Sequence, residues 1–149
     1  MATLIVHKRA KTDLEILETI EAGIVLLGTE VKSLRASHGV LLGAHVIVRG
    51  GEVYVVGMQI PAYQPKNAPA DYDPARTRKL LLTSAEITQL SQMLDKRGCT
   101  AVPLSIYEKG KKLKVSIGIG RGKKKFDKRQ DIKKRDASRD IAREVKRGH

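Results

Sequence analysis

Aromatic side chains are scarce in this sequence: four Tyr, one Phe and no Trp in 149 residues. A core must therefore be aliphatic, and the 41% hydrophobic content is enough for one domain of the usual size. Cys99 is the single cysteine, which excludes an internal disulfide and fits a reducing compartment. With Thr100 beside it and no base nearby in sequence, it reads as a packed thiol rather than a nucleophile. No apolar run approaches the roughly 18 residues of a membrane span, and residues 1–11 lack the apolar stretch of a signal peptide. A cytoplasmic chain with no membrane partner is expected. His7, His38, His45 and His149 are neither close to one another nor flanked by cysteine, so no metal site is expected. GIGRGKKK is glycine-rich and basic, but it lacks P-loop spacing and a Ser or Thr after the lysine. Neither a cofactor nor a catalytic constellation is expected, and the chain does not read as an enzyme.

What the sequence has in excess is positive charge. Lys and Arg number 29 against 16 Asp and Glu, giving +13 and a pI near 10, the footprint of a polyanionic partner. The charge is concentrated: residues 121–149 hold 13 basic and 5 acidic side chains, so +8 of the +13 lies there. The stretch GRGKKKFDKRQDIKKRD alone has nine Lys or Arg. If the segment from Asp127 onward is helical, Arg135, Arg139, Arg143 and Arg147 recur every fourth residue and form a row that could follow phosphates. A solvated helix is the competing reading. Asp131 stands at i,i+4 from Arg135, and Asp136, Asp140 and Glu144 stand at i,i+3 from an arginine, pairs worth about 0.2–0.5 kcal/mol each. Ile132 and Ile141 fall on opposite sides of such a helix, so no apolar stripe docks it to a core. A segment this charged, with so little to bury, is expected to be disordered alone and to fold on a partner. Phe126, set among cations, either stacks on an unpaired base for about 1–3 kcal/mol or docks on the edge of the folded domain.

Residues 1–120 read as mainly β. HVIVRGGEVYVV is a hairpin turning at Gly50 and Gly51. A second ribbon has Val102, Leu104 and Ile106 alternating on one arm and Leu113, Val115, Ile117 and Ile119 on the other, around the basic turn EKGKK. Residues 14–20 and 23–27 suggest an earlier strand pair bent at a glycine, which makes six strands. TSAEITQL carries a capping box, Thr83 with Glu86, and a hydrophobic staple, Leu82 with Ile87. It predicts a helix over 84–97, stopped at Gly98. DPARTRKLLL suggests a shorter helix after Asp73 and Pro74, and TEVKSLR one or two helical turns. The expectation is an OB-like six-stranded antiparallel closed barrel over 1–120 with about three flanking helices, followed by a basic tail over 121–149.

EAGIVLLGTEVKSLR (residues 21–35), DPARTRKLLL with the following EI (73–87), GCTAVPLSIY (98–107), and GRGKKKFDKR with IKKRD (120–136) resemble, in order and spacing, the bacterial small protein B family. The likeness covers nearly the whole chain. It implies a barrel that binds the tRNA-like domain of transfer-messenger RNA in place of the missing anticodon stem. It also implies a tail that becomes helical in the empty mRNA channel, near the small-subunit rRNA of the decoding site, when a ribosome stalls. The alanine-charged RNA arrives with elongation factor Tu, so that factor would be an indirect partner, and the nascent chain is then tagged for degradation. On the RNA face the resemblance implies Lys8, Arg9, Glu30, Lys32, Ser33, Arg35, Arg76 and Arg78, with Glu30 accepting from base or ribose groups. On the ribosome it implies Lys123, Lys124, Phe126, Asp127, Lys128, Arg129, Lys133, Lys134, Arg135, Arg139 and Arg143. The chain departs from the family pattern after SLR, where Ser37, Val40 and Gly43 stand in place of a usual Gly, Asn and acidic residue. Further departures are His7, Thr12, Leu14, Gln59 and Thr83. An accessory rRNA-binding protein of the ribosome is the alternative that composition leaves open, and an RNA-processing enzyme is a more distant one.

Overall fold

The computed structural model describes residues 2–64 and 70–122. Ten elements follow in order: β1 (Ala2–Val6), α1 (Ala10–Asp13), β2 (Leu14–Ile24), α2 (Gly28–Arg35), β3 (His45–Arg49), β4 (Glu52–Val56), β5 (Arg78–Leu81), α3 (Ser84–Leu94), β6 (Cys99–Lys109) and β7 (Lys112–Gly122). Every strand pairing is antiparallel. Six strands close a ring: β3 with β4, β4 with β5, β5 with β2, β2 with β7, β7 with β6, and β6 back to β3 through Val46 opposite Ala101. β1 is a seventh strand, laid on the second half of β6 from Ala2 opposite Glu108 to Val6 opposite Ser105.

The ring therefore has six members, as the pattern predicts, but not the predicted six. Residues 14–24 form one continuous strand; Gly23 is no turn but a paired position, opposite Leu81 and packed against its side chain. The missing member is β5, in the segment expected to be helical. Asp73 does cap a turn there, its Oδ1 accepting from the Ala75 N–H at 2.9 Å and its carbonyl from the Arg76 N–H at 3.1 Å. The helix goes no further because Arg78 and Leu80 alternate into the interior, which demands period two.

Both ribbons end in glycine turns: Gly50 and Gly51 have φ of 60° and 75°, and Gly110 has 64°. On β7 the alternation is as expected, with Leu113, Val115, Ile117 and Ile119 inward. On β6 it is not. A bulge between Pro103 and Ser105 shifts the phase by one, so Ala101, Pro103 and Ile106 are buried while Val102 and Leu104 are only half-buried. Leu104 instead lies over Gly118, where a Cβ would come within 2.8 Å of it. Gly120 admits no side chain either, since a Cβ would meet the Glu15 carbonyl oxygen at 2.1 Å. The hydrophobic core is aliphatic, with Leu34, Val55, Met58, Ile60, Leu90, Ile106, Val115, Ile117 and Ile119 fully buried.

α3 starts as predicted. Thr83 Oγ1 accepts from the Glu86 N–H at 3.2 Å, and Glu86 Oε1 accepts from the Thr83 N–H at 2.9 Å. It stops at Leu94 rather than Arg97, because the Lys96 N–H bonds the Met93 carbonyl three residues back and tightens the chain toward Gly98. α1, a single turn, and β1 were not foreseen. β7 runs through Gly122, so the expected tail begins inside a strand; the tail residues from Lys123 to Arg143 named above lie outside the described residues.

Candidate nucleic-acid interface

α2 carries half of the expected RNA-facing residues, Glu30, Lys32, Ser33 and Arg35, and its two faces differ. Glu30, Ser33 and Leu34 point inward and are fully buried, while Lys32 and Arg35 are exposed. Spacings of three and four residues put the first group on one side of the helix. Its N-terminus has no side-chain cap, since Leu27 has none to offer; Glu30 instead reaches back to accept from the Leu27 N–H at 2.8 Å. The C-terminus closes with the His38 N–H on the Ser33 carbonyl and the Ser37 N–H on the Leu34 carbonyl, both at 2.8 Å. This closure requires a left-handed residue, and Ser37 takes it with φ of 62°.

Burying a carboxylate is costly unless cations and N–H groups replace water. Here Glu30 Oε2 accepts from Arg78 Nε at 2.9 Å and Nη2 at 2.6 Å, and from Arg76 Nε at 2.9 Å. Oε1 takes Arg76 Nη2 and the Leu27 N–H. Arg78 is fully buried as well, and its other N–H groups donate to the carbonyls of Met58 at 2.7 Å, Arg76 at 3.0 Å and Pro74 at 2.9 Å. All five donors are thereby satisfied. The Tyr72 hydroxyl lies 2.7 Å from the Ile60 carbonyl and 3.1 Å from Glu30 Oε2, and the Ser33 hydroxyl donates to the Pro61 carbonyl at 2.6 Å. Burial pushes the Glu30 carboxyl up, but Arg76, the Leu27 N–H and Arg78 together outweigh it and bring the pKa down to about 2. Burial and the neighbouring Glu30 charge raise the Tyr72 phenol. The network is a strut that fixes α2 to β5 and to the segment on either side of Ile60.

The outer face is chemically different. Among the described residues, Lys32, Arg35, Ala36 and Tyr63 line an open cleft of about 430 Å³, and Tyr63 is 44% exposed. Two cations beside an exposed aromatic ring can hold phosphate and stack an unpaired base at once. Arg35 is tethered by Glu108 at 3.2 Å but stays half-exposed.

Of the RNA-facing residues expected from the sequence, the structure brings Lys32 and Arg35 to this surface. Lys8 and Arg9 are exposed on the turn after β1, where Arg9 pairs with Asp13 at 3.5 Å; neither lines the cleft. Arg76 is partly exposed, with its guanidinium engaged by Glu30. Glu30, Ser33 and Arg78 are enclosed and bonded within the protein, behind the surface that Lys32 and Arg35 present. Tyr63 was missed. Its signal was present, because an aromatic inside the proline-flanked stretch PAYQP has no strand or helix to carry it into a core. Among the described residues, no three His, Cys, Asp or Glu side chains gather as a metal site, and no helix is long and apolar enough to cross a membrane.

The family model described as SmpB protein matches residues 4–147. The chain is 48% identical over 141 residues to the SsrA-binding protein of Microcystis aeruginosa, covering 95% of this chain and 92% of that one. It is 49% identical over 140 residues to the SsrA-binding protein of Acetivibrio thermocellus, covering 94% and 90%. Among solved structures, a chain from "tmRNA-SmpB: a journey to the center of the bacterial ribosome" superposes with a TM-score of 0.70 at 41% identity, over 88% of this chain and 95% of that one. A carboxylate strut inside an aliphatic barrel, cations outside it, and a match along almost the full length lead to one assignment: the chain belongs to the SmpB family.

Proposed function

We propose that this protein binds the tRNA-like domain of transfer-messenger RNA and acts with it in trans-translation, the rescue of stalled ribosomes in the cytoplasm. One observation carries the reading: the match along residues 4–147 to a family whose named members include SsrA-binding proteins. The geometry supports a division of labour within the barrel. Glu30, Arg76, Arg78 and Tyr72 hold α2 in place, and Lys32, Arg35 and Tyr63 offer phosphate and stacking contacts. The basic segment from Lys123 onward is assigned to the vacant mRNA channel, with Phe126 stacking beside the decoding site and Lys133, Lys134, Arg135, Arg139 and Arg143 following phosphates. Elongation factor Tu is engaged through the charged RNA. The protein supplies recognition and position and performs no bond chemistry of its own.

Binding of the full chain to the tRNA-like domain and to an rRNA hairpin of equal length, across a salt series, tests this. Phosphate attraction weakens on both RNAs alike as salt rises. Specific recognition leaves a gap of several kcal/mol that persists at high salt. Curves that fall together would make the chain a general rRNA binder. Tyr63→Ala should weaken the specific complex by about 1–3 kcal/mol while leaving the melting temperature unchanged.

A further inference from the structure

The stretch that leads to Tyr63 belongs to none of the barrel strands, yet its backbone is held at four successive carbonyls. The Met58 carbonyl accepts from Arg78 Nη1 at 2.7 Å, and the Gln59 carbonyl from the Val40 N–H at 2.8 Å. The Ile60 carbonyl accepts from the Tyr72 hydroxyl at 2.7 Å, and the Pro61 carbonyl from the Ser33 hydroxyl at 2.6 Å. Met58 and Ile60 are fully buried, so for their carbonyls these bonds replace water that cannot reach them. Pro61 is different. It is exposed, and water can satisfy its carbonyl, yet the fully buried Ser33 reaches out to take it. That bond is the last fixed point before Tyr63, two residues on. Ser33 also stands directly after Lys32 and two residues before Arg35 on α2. A single helical turn therefore carries both cations of the cleft and the anchor of the chain that brings the ring.

We propose that Ser33 is a positioning residue for RNA: through the Pro61 carbonyl it holds the Tyr63 ring at a set place across the cleft from Lys32 and Arg35. This rests on the reading of that cleft as an RNA contact. Ser33 itself touches no RNA. A ring on a free loop must be ordered when a base stacks on it, and that ordering is subtracted from the affinity. A ring ordered beforehand avoids the loss. Because the cations and the anchor share one helix, the spacing between bound phosphate and stacked base is fixed as well. The cleft is thereby matched to a strand with an unpaired base beside its phosphate, and a closed duplex, which offers phosphates alone, gains nothing from the ring.

The test uses the full chain with labelled tyrosine rings, and two probes: oligouridine and an RNA duplex carrying the same number of phosphates. Without RNA, the Tyr63 ring of the unchanged protein should already be ordered in relaxation measurements. Ser33→Ala should free it, while the rings of Tyr54 and Tyr107, each engaged by a glutamate, stay as they were and report an intact fold. Oligouridine affinity should then fall by about two- to tenfold, with duplex affinity unchanged. In a Tyr63→Ala background, Ser33→Ala should cost nothing further, because the two residues act through one contact. A mobile Tyr63 ring in the unchanged protein would overturn the proposal. Equal losses on both RNAs, or a loss that persists in the Tyr63→Ala background, would overturn it too. If Ser33→Ala frees the ring but Tyr63→Ala leaves oligouridine affinity unchanged, the cleft is no RNA contact, and the proposal falls with the reading beneath it.

Discussion

α2 and α3 are both short helices leaning on the same barrel, yet they are held by opposite means. α3 has its instructions in its own sequence: Thr83 and Glu86 cap each other across three residues, and Leu90 plugs into the core. α2 has no capping side chain at its first position and is held by residues more than forty positions away, through Glu30 to Tyr72, Arg76 and Arg78. A locally encoded helix can fail alone. A helix held by a buried ion network fails together with the sheet that carries its counter-charges.

The sharpest way to break the comparison is Arg78→Ala. It leaves the Glu30 carboxylate buried with one guanidinium and should destabilise the fold by about 3–5 kcal/mol, measured by urea denaturation. Acid probes the same strut. The Glu30 carboxyl titrates at about 2 in the folded chain against 4.5 ordinarily. A lowered carboxylate pKa gives stability that is complete above about 4.5 and is lost as the pH falls toward 2, here about 3 kcal/mol. The stability gap between the wild type and Glu30→Gln should therefore be full at neutral pH and shrink below pH 4.5; a gap independent of pH would contradict the network. On the locally encoded side, Thr83→Ala should cost only about 1 kcal/mol in the same denaturation assay. Smallest, and of opposite sign, is Ser37→Gly. It relieves a left-handed serine at the end of α2 and should raise stability by up to about 1 kcal/mol, read as a higher melting temperature.

The same contrast explains what could be read from the sequence. The hairpin at Gly50 and Gly51, the ribbon around Gly110 and the start of α3 are governed by neighbours within a few residues, and they stand where the pattern puts them. Residues 73–81 carry a true helix-start signal at Asp73, and an alternation of only two inward residues, Arg78 and Leu80, is too short to outweigh it. What decides the matter is that Arg78 must reach Glu30, which no local rule contains. Glu30 illustrates the converse. A glutamate next to lysine and arginine on a charged helix reads as surface, and only the arrival of two guanidinium groups from elsewhere in the chain makes its burial tolerable. The exposed cations Lys32 and Arg35 were legible because solvent-facing charge requires no partner.

One measurement bears most directly on the claim that α2 is a cation platform held from within. It is the affinity of Lys32→Ala combined with Tyr63→Ala for the tRNA-like domain of transfer-messenger RNA, taken alongside the melting temperature and an rRNA hairpin control. The account predicts at least a tenfold loss on the tRNA-like domain, about 1.4 kcal/mol or more, with an unchanged melting temperature and a smaller loss on the hairpin. Unchanged affinity for the tRNA-like domain, or equal losses on both RNAs, would contradict it.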